Sequence, residues 1–197
     1  MGCPASHKCL PLSPDRLRRQ LGPALTRYDY IVVDTPASLC RSTQIGIDAA
    51  DQVILVVSCG VYGLKGMVAV LDWVSGICAR LSKPLPKLKV VLNNFDERRR
   101  YDREFREEVQ HIFGADLFCT QVRTSTRVVE AAATGLAVVE HFPLFPVAQD
   151  FLQLSREILG LSSAEEMVEE CGELDEPEDE ELIEELRVLS NIVSLHR

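Results

Sequence analysis

The sequence lacks the features that mark membrane-spanning, secreted and disulfide-linked proteins. No apolar run approaches the roughly 20 residues that cross a bilayer, and the first residues do not form a secretory signal. Seven cysteines are present, an odd number, and no two of them form a C-x-x-C pair. We therefore predict a soluble, cytoplasmic protein without a transmembrane segment, in which most cysteines are reduced and buried.

A loop for nucleotide phosphates is also missing. Such a loop, G-x-x-x-x-G-K-[ST], wraps phosphate groups with its backbone N–H groups, and the pattern occurs nowhere in the 197 residues. The four histidines, His7, His111, His141 and His196, are scattered and form no metal or catalytic motif. The chain as written therefore carries no motif sufficient for phosphoryl transfer.

Negative charge is distributed unevenly along the chain. Residues 1–160 contain 19 Lys and Arg against 17 Asp and Glu, whereas residues 161–197 contain 2 against 13. The formal net charge of −9 therefore arises in the last part of the chain. We predict one α/β domain over residues 1–160 and an acidic helical tail over residues 161–197, of the kind that serves protein contact and repels polyanions.

Apolar periodicity alternates between helix and strand along the domain. Helical spacing occurs at 14–26, 42–50, 64–80, 101–113, 126–133 and 147–159, and β-prone runs lie at 29–34, 52–58, 88–93 and 117–122. Strands that alternate with helices of this length indicate a doubly wound, mainly parallel sheet.

The first β-prone run carries the most informative residue. Four β-prone apolar residues, Tyr30 to Val33, predict a central strand covered on both faces, and Asp34 follows them directly. Ligands of open α/β sheets bind beyond the carboxyl ends of the strands, so Asp34 is a candidate site residue. The alternative is a buried strand-end aspartate that caps the next loop.

Four segments in this order carry a family resemblance: YDYIVVDTPAS at 28–38, ADQVILVVSC with YGLKGM at 50–67, VVLNNFDERRRYDREFREEVQHIFG at 90–114, and TSTRVVEAAATGLAVVEH at 124–141. As a set they resemble the ParA/MinD-type partitioning ATPases of the P-loop NTPase superfamily. The resemblance covers roughly residues 13–160. Because no segment matches the family's P-loop part, it implies an incomplete P-loop NTPase domain.

The resemblance implies roles for individual residues. Asp34 matches the Walker B aspartate, which orients the water shell of the nucleotide magnesium, and Thr35 and Pro36 shape the turn after it. Asn93 matches a position that contacts the adenine base in MinD-like members, where an amide offers both a donor and an acceptor. An asparagine that simply ends a strand in a turn is the alternative.

Mg-ATP, an ATP-driven homodimer and the positioning of DNA or other cargo are further implications of the resemblance. As written, the chain is predicted not to hydrolyse ATP, because the phosphate-binding donors are absent. Uncovered strand edges are then expected. These edges could be covered by an N-terminal P-loop-bearing partner, by a second copy or by the chain's own tail. The fourth alternative is that nothing covers them because the gene is incomplete.

Two arginines are candidates for DNA contact. The resemblance places a non-specific DNA-binding surface near Arg127, and Arg123 lies close to it in sequence. Val122 and Arg123 also replace an Ile-Pro pair of the family, which predicts a different wall beside the adenine. The remaining basic run is interleaved with acids over 96–108, where a salt-bridged, solvated helix face is the alternative.

Residues 178–197 form the predicted contact segment of the tail. Apolar residues recur there at helical spacing on an acidic background: Leu182, Ile183, Leu186, Leu189, Ile192 and Val193. Such a stripe predicts docking back onto the domain, insertion into a partner protein, or pairing with a second copy.

Two functions of different class follow. The first is a ParA/MinD-type ATPase that is inactive until a P-loop is supplied. The second is a non-catalytic interaction module, or pseudo-ATPase, built on the same scaffold.

Overall fold

The computed structural model describes residues 14–81 and 86–161. Within them the helices are α1 (Pro14–Leu25), α2 (Arg41–Ala49), α3 (Val61–Leu81), α4 (Arg100–Phe113), α5 (Thr126–Thr134), α6 (Val138–His141) and α7 (Pro146–Ile158). The strands are β1 (Gln52–Ser58), β2 (Lys87–Phe95) and β3 (Val122–Arg123). The predicted α/β alternation is confirmed.

The three strands form one parallel sheet in the order β1-β2-β3. β1 pairs with β2 from Gln52 opposite Lys87 to Ser58 opposite Asn93. β3 pairs with the carboxyl end of β2, where Asn93 lies opposite Val122 and Phe95 opposite Arg123. All three strands therefore end at the same edge of the sheet, where the predicted site residues of β2 and β3 meet.

The core is centred on β2. Val90, Val91 and Leu92 are at most 3% exposed, so both faces of this strand are covered. Val90 and Leu92, two residues apart and hence on one face, pack in a cluster with Phe105 and Val109 of α4 and with residues of α3. Burial of large apolar side chains such as Phe105 contributes on the order of 2 kcal/mol each. β2 thus holds the site edge rigidly.

The predicted central strand at 29–34 is wrong. The segment forms no strand within the described residues, and Val32 is 92% exposed. A buried strand requires hydrogen-bonded neighbours, and the sheet of β1, β2 and β3 supplies none to this segment. Asp34 is accordingly exposed rather than placed at the end of a buried strand.

β1 is covered on only one face. Its burial alternates, with Val57 buried while Ile54 and Val56 are 36% and 60% exposed. Alternating residues of a strand point to opposite faces, so the face that carries Ile54 and Val56 faces solvent in the described part of the chain.

Three smaller differences concern the carboxyl half. β2 extends two residues beyond the predicted 88–93. The predicted strand at 117–122 shrinks to a bridge between Leu117 and Val90 followed by the two residues of β3. Between them, the N–H groups of Cys119 and Thr120 donate to the Glu157 carboxylate, which replaces strand pairing. The short helix α6 was not predicted.

Some predictions lie outside the described residues, including the acidic helical tail and its stripe at 178–197. Among the residues that the structure describes, no helix is both long and apolar enough to cross a membrane. The four described cysteines, Cys40, Cys59, Cys78 and Cys119, are reduced thiols, and the last two are buried.

Candidate functional site

A tight turn connects the segment at 29–34 to α2. The Thr43 hydroxyl donates to the carbonyl oxygens of Pro36 at 3.1 Å and Ser38 at 2.7 Å. A Cβ placed on Gly46 of α2 would lie 2.7 Å from Cγ2 of Thr35, so glycine permits the close contact. These contacts seat Thr35 and Pro36 against α2 in a tight turn after Asp34.

Asp34 itself projects from this seated segment. It is exposed, and its carboxylate forms no hydrogen bond or ion pair with any residue that the structure describes. A carboxylate oxygen that is not engaged by the protein is a suitable acceptor for the water shell of a magnesium ion. The geometry is compatible with the predicted role, although the strand that was expected to position Asp34 is not formed.

Cys40 is a reactive feature that the sequence reasoning missed. It is the N-cap of α2, and its sulfur lies 2.9 Å from the Ser42 hydroxyl and 3.5 Å from that of Thr43. Hydrogen bonds from Ser38, Ser42 and Thr43 lower the pKa of the Cys40 thiol to about 6. The S-x-C-x-S-T run around a helix start was a signal that the sequence contained.

Asn93 sits at the strand edge where β1, β2 and β3 converge. Its carbonyl oxygen accepts from the Cys59 N–H at 3.2 Å, while its side-chain amide makes no hydrogen bond within the described residues. The next residue, Asn94, has a φ of +57°, which turns the chain after the edge. The amide of Asn93 is therefore available to a ligand, although β2 continues beyond it.

Arg123 is held by a buried carboxylate on α7. Its guanidinium donates to Asp150 through Nε at 2.7 Å and Nη2 at 2.8 Å, and its backbone N–H donates to the same carboxylate at 3.1 Å. These bonds to Asp150 raise the pKa of Arg123. A proline, which the family resemblance gives at this position, could not donate that backbone bond. Arg123 is thus an anchor between β3 and α7.

Arg127 lies in the first turn of α5, after the N-cap Ser125. Its guanidinium carbon is 5.1 Å from the ring centroid of Phe142 and 4.7 Å from that of Phe145, and it also pairs with Glu130. Stacking on aromatic rings leaves the edge of a guanidinium open for further hydrogen bonds. Arg127 is therefore better placed than Arg123 to contact a phosphate.

A cavity of about 870 Å³ opens beside this edge, between the loop after β2, the loop before β3, α4 and α7. We refer to it as the arginine cavity, because its lining includes Arg98, Arg99, Arg106, Arg123 and Arg156. Ion pairs of Asp96 with Arg98 and Arg99, and of Arg100 with Glu104, agree with the salt-bridged interpretation of the 96–108 run. The sequence reasoning missed Asp150 and Arg156, both on α7.

Asn93 and Arg123 lie on the neighbouring strands β2 and β3, Arg127 lies in the first turn of α5, and Asp34 lies on a separate segment. A base edge could meet the Asn93 amide, and hydrated magnesium could meet Asp34. The sequence supplies no loop of backbone N–H groups for the phosphates between them. In the described residues no group of three or more His, Cys, Asp or Glu could hold a metal directly. The chain as given therefore offers groups for the base and for hydrated magnesium but no loop for the phosphates of Mg-ATP.

The sequence is similar to a family model and to ParA family proteins. The family model AAA_31, described as an AAA domain, matches residues 10–87. A ParA family protein of Chlamydia pneumoniae is 33% identical over 147 residues, which are 75% of this chain and 57% of the relative. The sporulation initiation inhibitor protein Soj of Bacillus subtilis is 30% identical over 143 residues, 73% of this chain and 56% of Soj.

Solved structures share the fold. The MinD cell division protein of Aquifex aeolicus superposes with a TM-score of 0.61 at 21% identity, over 77% of this chain and 63% of MinD. A ParA family ATPase from Chlorobium tepidum superposes with a TM-score of 0.58 at 19% identity, over 73% and 57%. The chain spans little more than half the length of the curated relatives it matches. Over the matched three quarters of its length, the chain is similar to ParA family proteins and has the fold of the MinD and ParA family structures.

Proposed function

We propose that this chain is the Walker B-bearing part of a ParA/MinD-type ATPase that positions DNA or other cellular cargo. In this proposal it acquires Mg-ATP only when a P-loop-bearing segment, in the same polypeptide or a separate one, completes its sheet. The identity to ParA family proteins supports the partitioning class. The further steps rest on the geometry around Asp34 and β1.

The single observation that carries the proposal is an uncovered apolar surface at the place where the family has its P-loop part. Val32 and Val33 of the segment at 29–34 are 92% and 40% exposed. Ile54 and Val56 of β1 are 36% and 60% exposed. Runs of exposed β-branched residues are expected to be covered by another element. A P-loop strand and its helix would cover both and would place phosphate-binding N–H groups near Asp34.

The division of roles follows from the residues that each part supplies. When bound, Mg-ATP provides the phosphoryl group and the metal charge. Asp34 orients the water shell of the magnesium, and the Asn93 amide reads the edge of the base. Thr35 and Pro36 keep the Asp34 segment seated on α2 through the contacts of Gly46 and Thr43. The P-loop segment supplies the contacts to phosphate that this sequence lacks.

The test is complementation. The full chain is produced with and without the P-loop-bearing part of the Chlamydia pneumoniae ParA family protein, and Mg-dependent ATP hydrolysis is measured. We expect no turnover by either part alone and turnover by the pair. Asp34→Asn should abolish the turnover of the pair, whereas Asp29→Asn, in the same exposed segment, should leave it unchanged.

Two results would count against this function. Equal turnover in the Asp34→Asn and wild-type pairs would remove Asp34 from the magnesium shell. A pair that associates, as judged by sedimentation velocity, but shows neither nucleotide binding nor turnover would favour a pseudo-ATPase. Failure of the two parts to associate would contradict completion by a segment of this type.

A non-catalytic interaction module is the second candidate. It is favoured by the same uncovered surface, because exposed apolar residues such as Val32 and Val56 can receive a protein partner instead of a P-loop strand. One solved relative of this fold is a MinC:MinD cell division protein complex of Aquifex aeolicus, which illustrates a scaffold with a bound protein. Stable folding of the chain without nucleotide response in the complementation experiment would support this candidate.

A further inference from the structure

The arginine cavity has an excess of positive charge that the described residues do not neutralise. Its five lining arginines face three lining carboxylates, those of Asp96, Glu97 and Asp150. Asp96 pairs with Arg98 and Arg99, and Asp150 pairs with Arg123. The lining therefore carries a net charge of +2, and its two arginines without an ion pair in the described residues are Arg106 of α4 and Arg156 of α7.

Neither of these two guanidiniums has a carboxylate partner. In the described part of the chain Arg106 forms no ion pair, and Arg156 contacts only the side-chain oxygen of Gln153, at 3.4 Å. Arg106 belongs to α4 and Arg156 to α7, two of the elements that enclose the cavity. Paired arginines of this kind are suited to carboxylate groups, which they bind through charge-assisted hydrogen bonds.

A buried hydroxyl provides a second, independent sign of a ligand. Thr120 lines the cavity and is only 6% exposed, and its Oγ1 has no hydrogen-bond partner among the described residues. A buried polar atom without a partner costs free energy, so native structures normally satisfy it. An anionic ligand that reaches the cavity would provide acceptors for the two arginines.

The chain contains a segment with the matching charge. Residues 173–185, which we call the acidic segment, include nine Asp and Glu and no Lys or Arg. The rest of the molecule offers no comparable density of negative charge. Since carboxylates pair with arginines better than with any other side chain, charge complementarity selects this segment.

The acidic segment is also within reach. Leu161, the last described residue, follows Arg156 by only five positions, and Glu173 follows Leu161 by twelve. Twelve extended residues span up to about 40 Å, whereas the 13-residue helix α7 is about 20 Å long. We propose that the acidic segment occupies the arginine cavity of its own molecule, with its carboxylates on Arg106 and Arg156.

Occupation in the same molecule has a physical advantage over binding of a foreign anion. A tether of this length holds the segment at a local concentration in the millimolar range. A nucleic acid that approached the cavity would have to displace it, and high salt would weaken both contacts. The arginine cavity therefore differs from an open polyanion site.

Zero-length cross-linking tests the contact directly. Arg106→Lys and Arg156→Lys keep the positive charge and introduce amines that a carbodiimide can join to adjacent carboxylates. In the full-length chain we expect cross-links from both lysines to residues 173–185, identified by peptide mass spectrometry. Arg19→Lys, on α1 and outside the cavity lining, is the matched control and should not give them. Cross-links absent from both cavity lysines, or equal in the control, would overturn the proposal.

A second measurement separates the possible occupants. Neutralising the four acids at 178–181 in the full chain should at least double the rate of amide hydrogen exchange at 119–124. Neutralising the four glutamates at 165, 166, 169 and 170 removes the same charge and should not. Equal increases in the exchange rate of the two variants would indicate general electrostatics. An unchanged exchange rate in both variants would indicate an empty cavity. Protection that rises with protein concentration would indicate a second copy, and each of these three outcomes contradicts the proposal.

Discussion

Arg123 and Asp150, 27 positions apart, are joined by three hydrogen bonds to a single carboxylate. Asp150 is buried in α7, and Arg123 forms the end of the shortest strand of the sheet. Because the backbone of β3 participates, the pair fixes the path of the chain just before α5. The orientation of Arg127 and the wall of the arginine cavity both depend on it.

Removing this pair should destabilise the domain. Arg123→Ala leaves a buried carboxylate with one backbone donor, and we expect it to lower the free energy of unfolding by about 2 kcal/mol, since Arg123 itself is half-exposed. Urea denaturation followed by circular dichroism measures the loss. The control is Arg98→Ala at the exposed pair with Asp96, where solvent screens the interaction and the expected loss is clearly smaller. Equal losses in the two variants would show that burial of Asp150 adds nothing.

Among the described cysteines, Cys40 should be the most reactive thiol at slightly acidic pH. Its pKa is lowered to about 6, so the thiolate dominates at pH 7, whereas burial raises the pKa of Cys59 to about 12. Alkylation by iodoacetamide, followed by mass spectrometry, should increase at Cys40 with a midpoint near pH 6 and stay slow at Cys59. Ser42→Ala removes one hydroxyl and should move the midpoint upward. A midpoint above pH 8 in the wild type would contradict the turn geometry.

Glu108 should make stability depend on pH. It is 5% exposed, its Oε1 has no partner within the described residues, and burial raises its pKa above 4.5, partly opposed by His111. A proton bound more tightly in the folded state stabilises the fold below the unfolded pKa, and this contribution disappears as the pH rises through the folded value. Glu108→Gln should therefore gain stability relative to wild type between about pH 4.5 and 7.

Thermal unfolding across that pH range, measured with Glu107→Gln as the neighbouring control, tests this expectation. The two variants remove the same charge one position apart, so only the Glu108 variant should show a gain that grows with pH. A gain that is independent of pH would assign the effect to something other than ionisation of the buried carboxyl.

Under the proposed positioning of DNA, Arg127 should contribute to DNA contact. Its guanidinium is stacked on two aromatic rings, and reversal to glutamate places a second acid beside Glu130. We expect Arg127→Glu to weaken binding to duplex DNA roughly tenfold, or ~1.4 kcal/mol, and Arg127→Lys to retain most of it. Arg98→Glu is the control for net charge. Fluorescence anisotropy at low salt measures all three, and unchanged binding by Arg127→Glu would exclude this surface.

Sequence patterns predicted those elements whose partners lie within the described residues. β1 matches the predicted 52–58, and α1 and α7 differ from the predicted helices by one residue at most at either end. The run at 29–34 has an equally strong β pattern, yet it forms no strand there, because pattern records local preference while pairing requires a neighbour. The strand at 117–122 was shortened because Glu157, far along the chain, takes its N–H groups.

For the site residues too, motif positions could be assigned from the sequence, whereas their tertiary partners could not. Asn93 and Arg127 were assigned from motif positions, and their roles stay predictions. The partner of Arg123 was not predicted, since Asp150 lies on an amphipathic helix where an acid is normally solvated. The low pKa of Cys40 likewise depends on how the turn folds three hydroxyls toward one sulfur.

The most direct test of the account is calorimetric titration of Mg-ATP into the full-length chain, alone and together with a P-loop-bearing segment of a ParA relative. The account predicts no binding in the micromolar range by the chain alone and micromolar binding by the pair, lost with Asp34→Asn. Micromolar binding of Mg-ATP by the chain alone would contradict the claim that the phosphate site must be supplied by another segment.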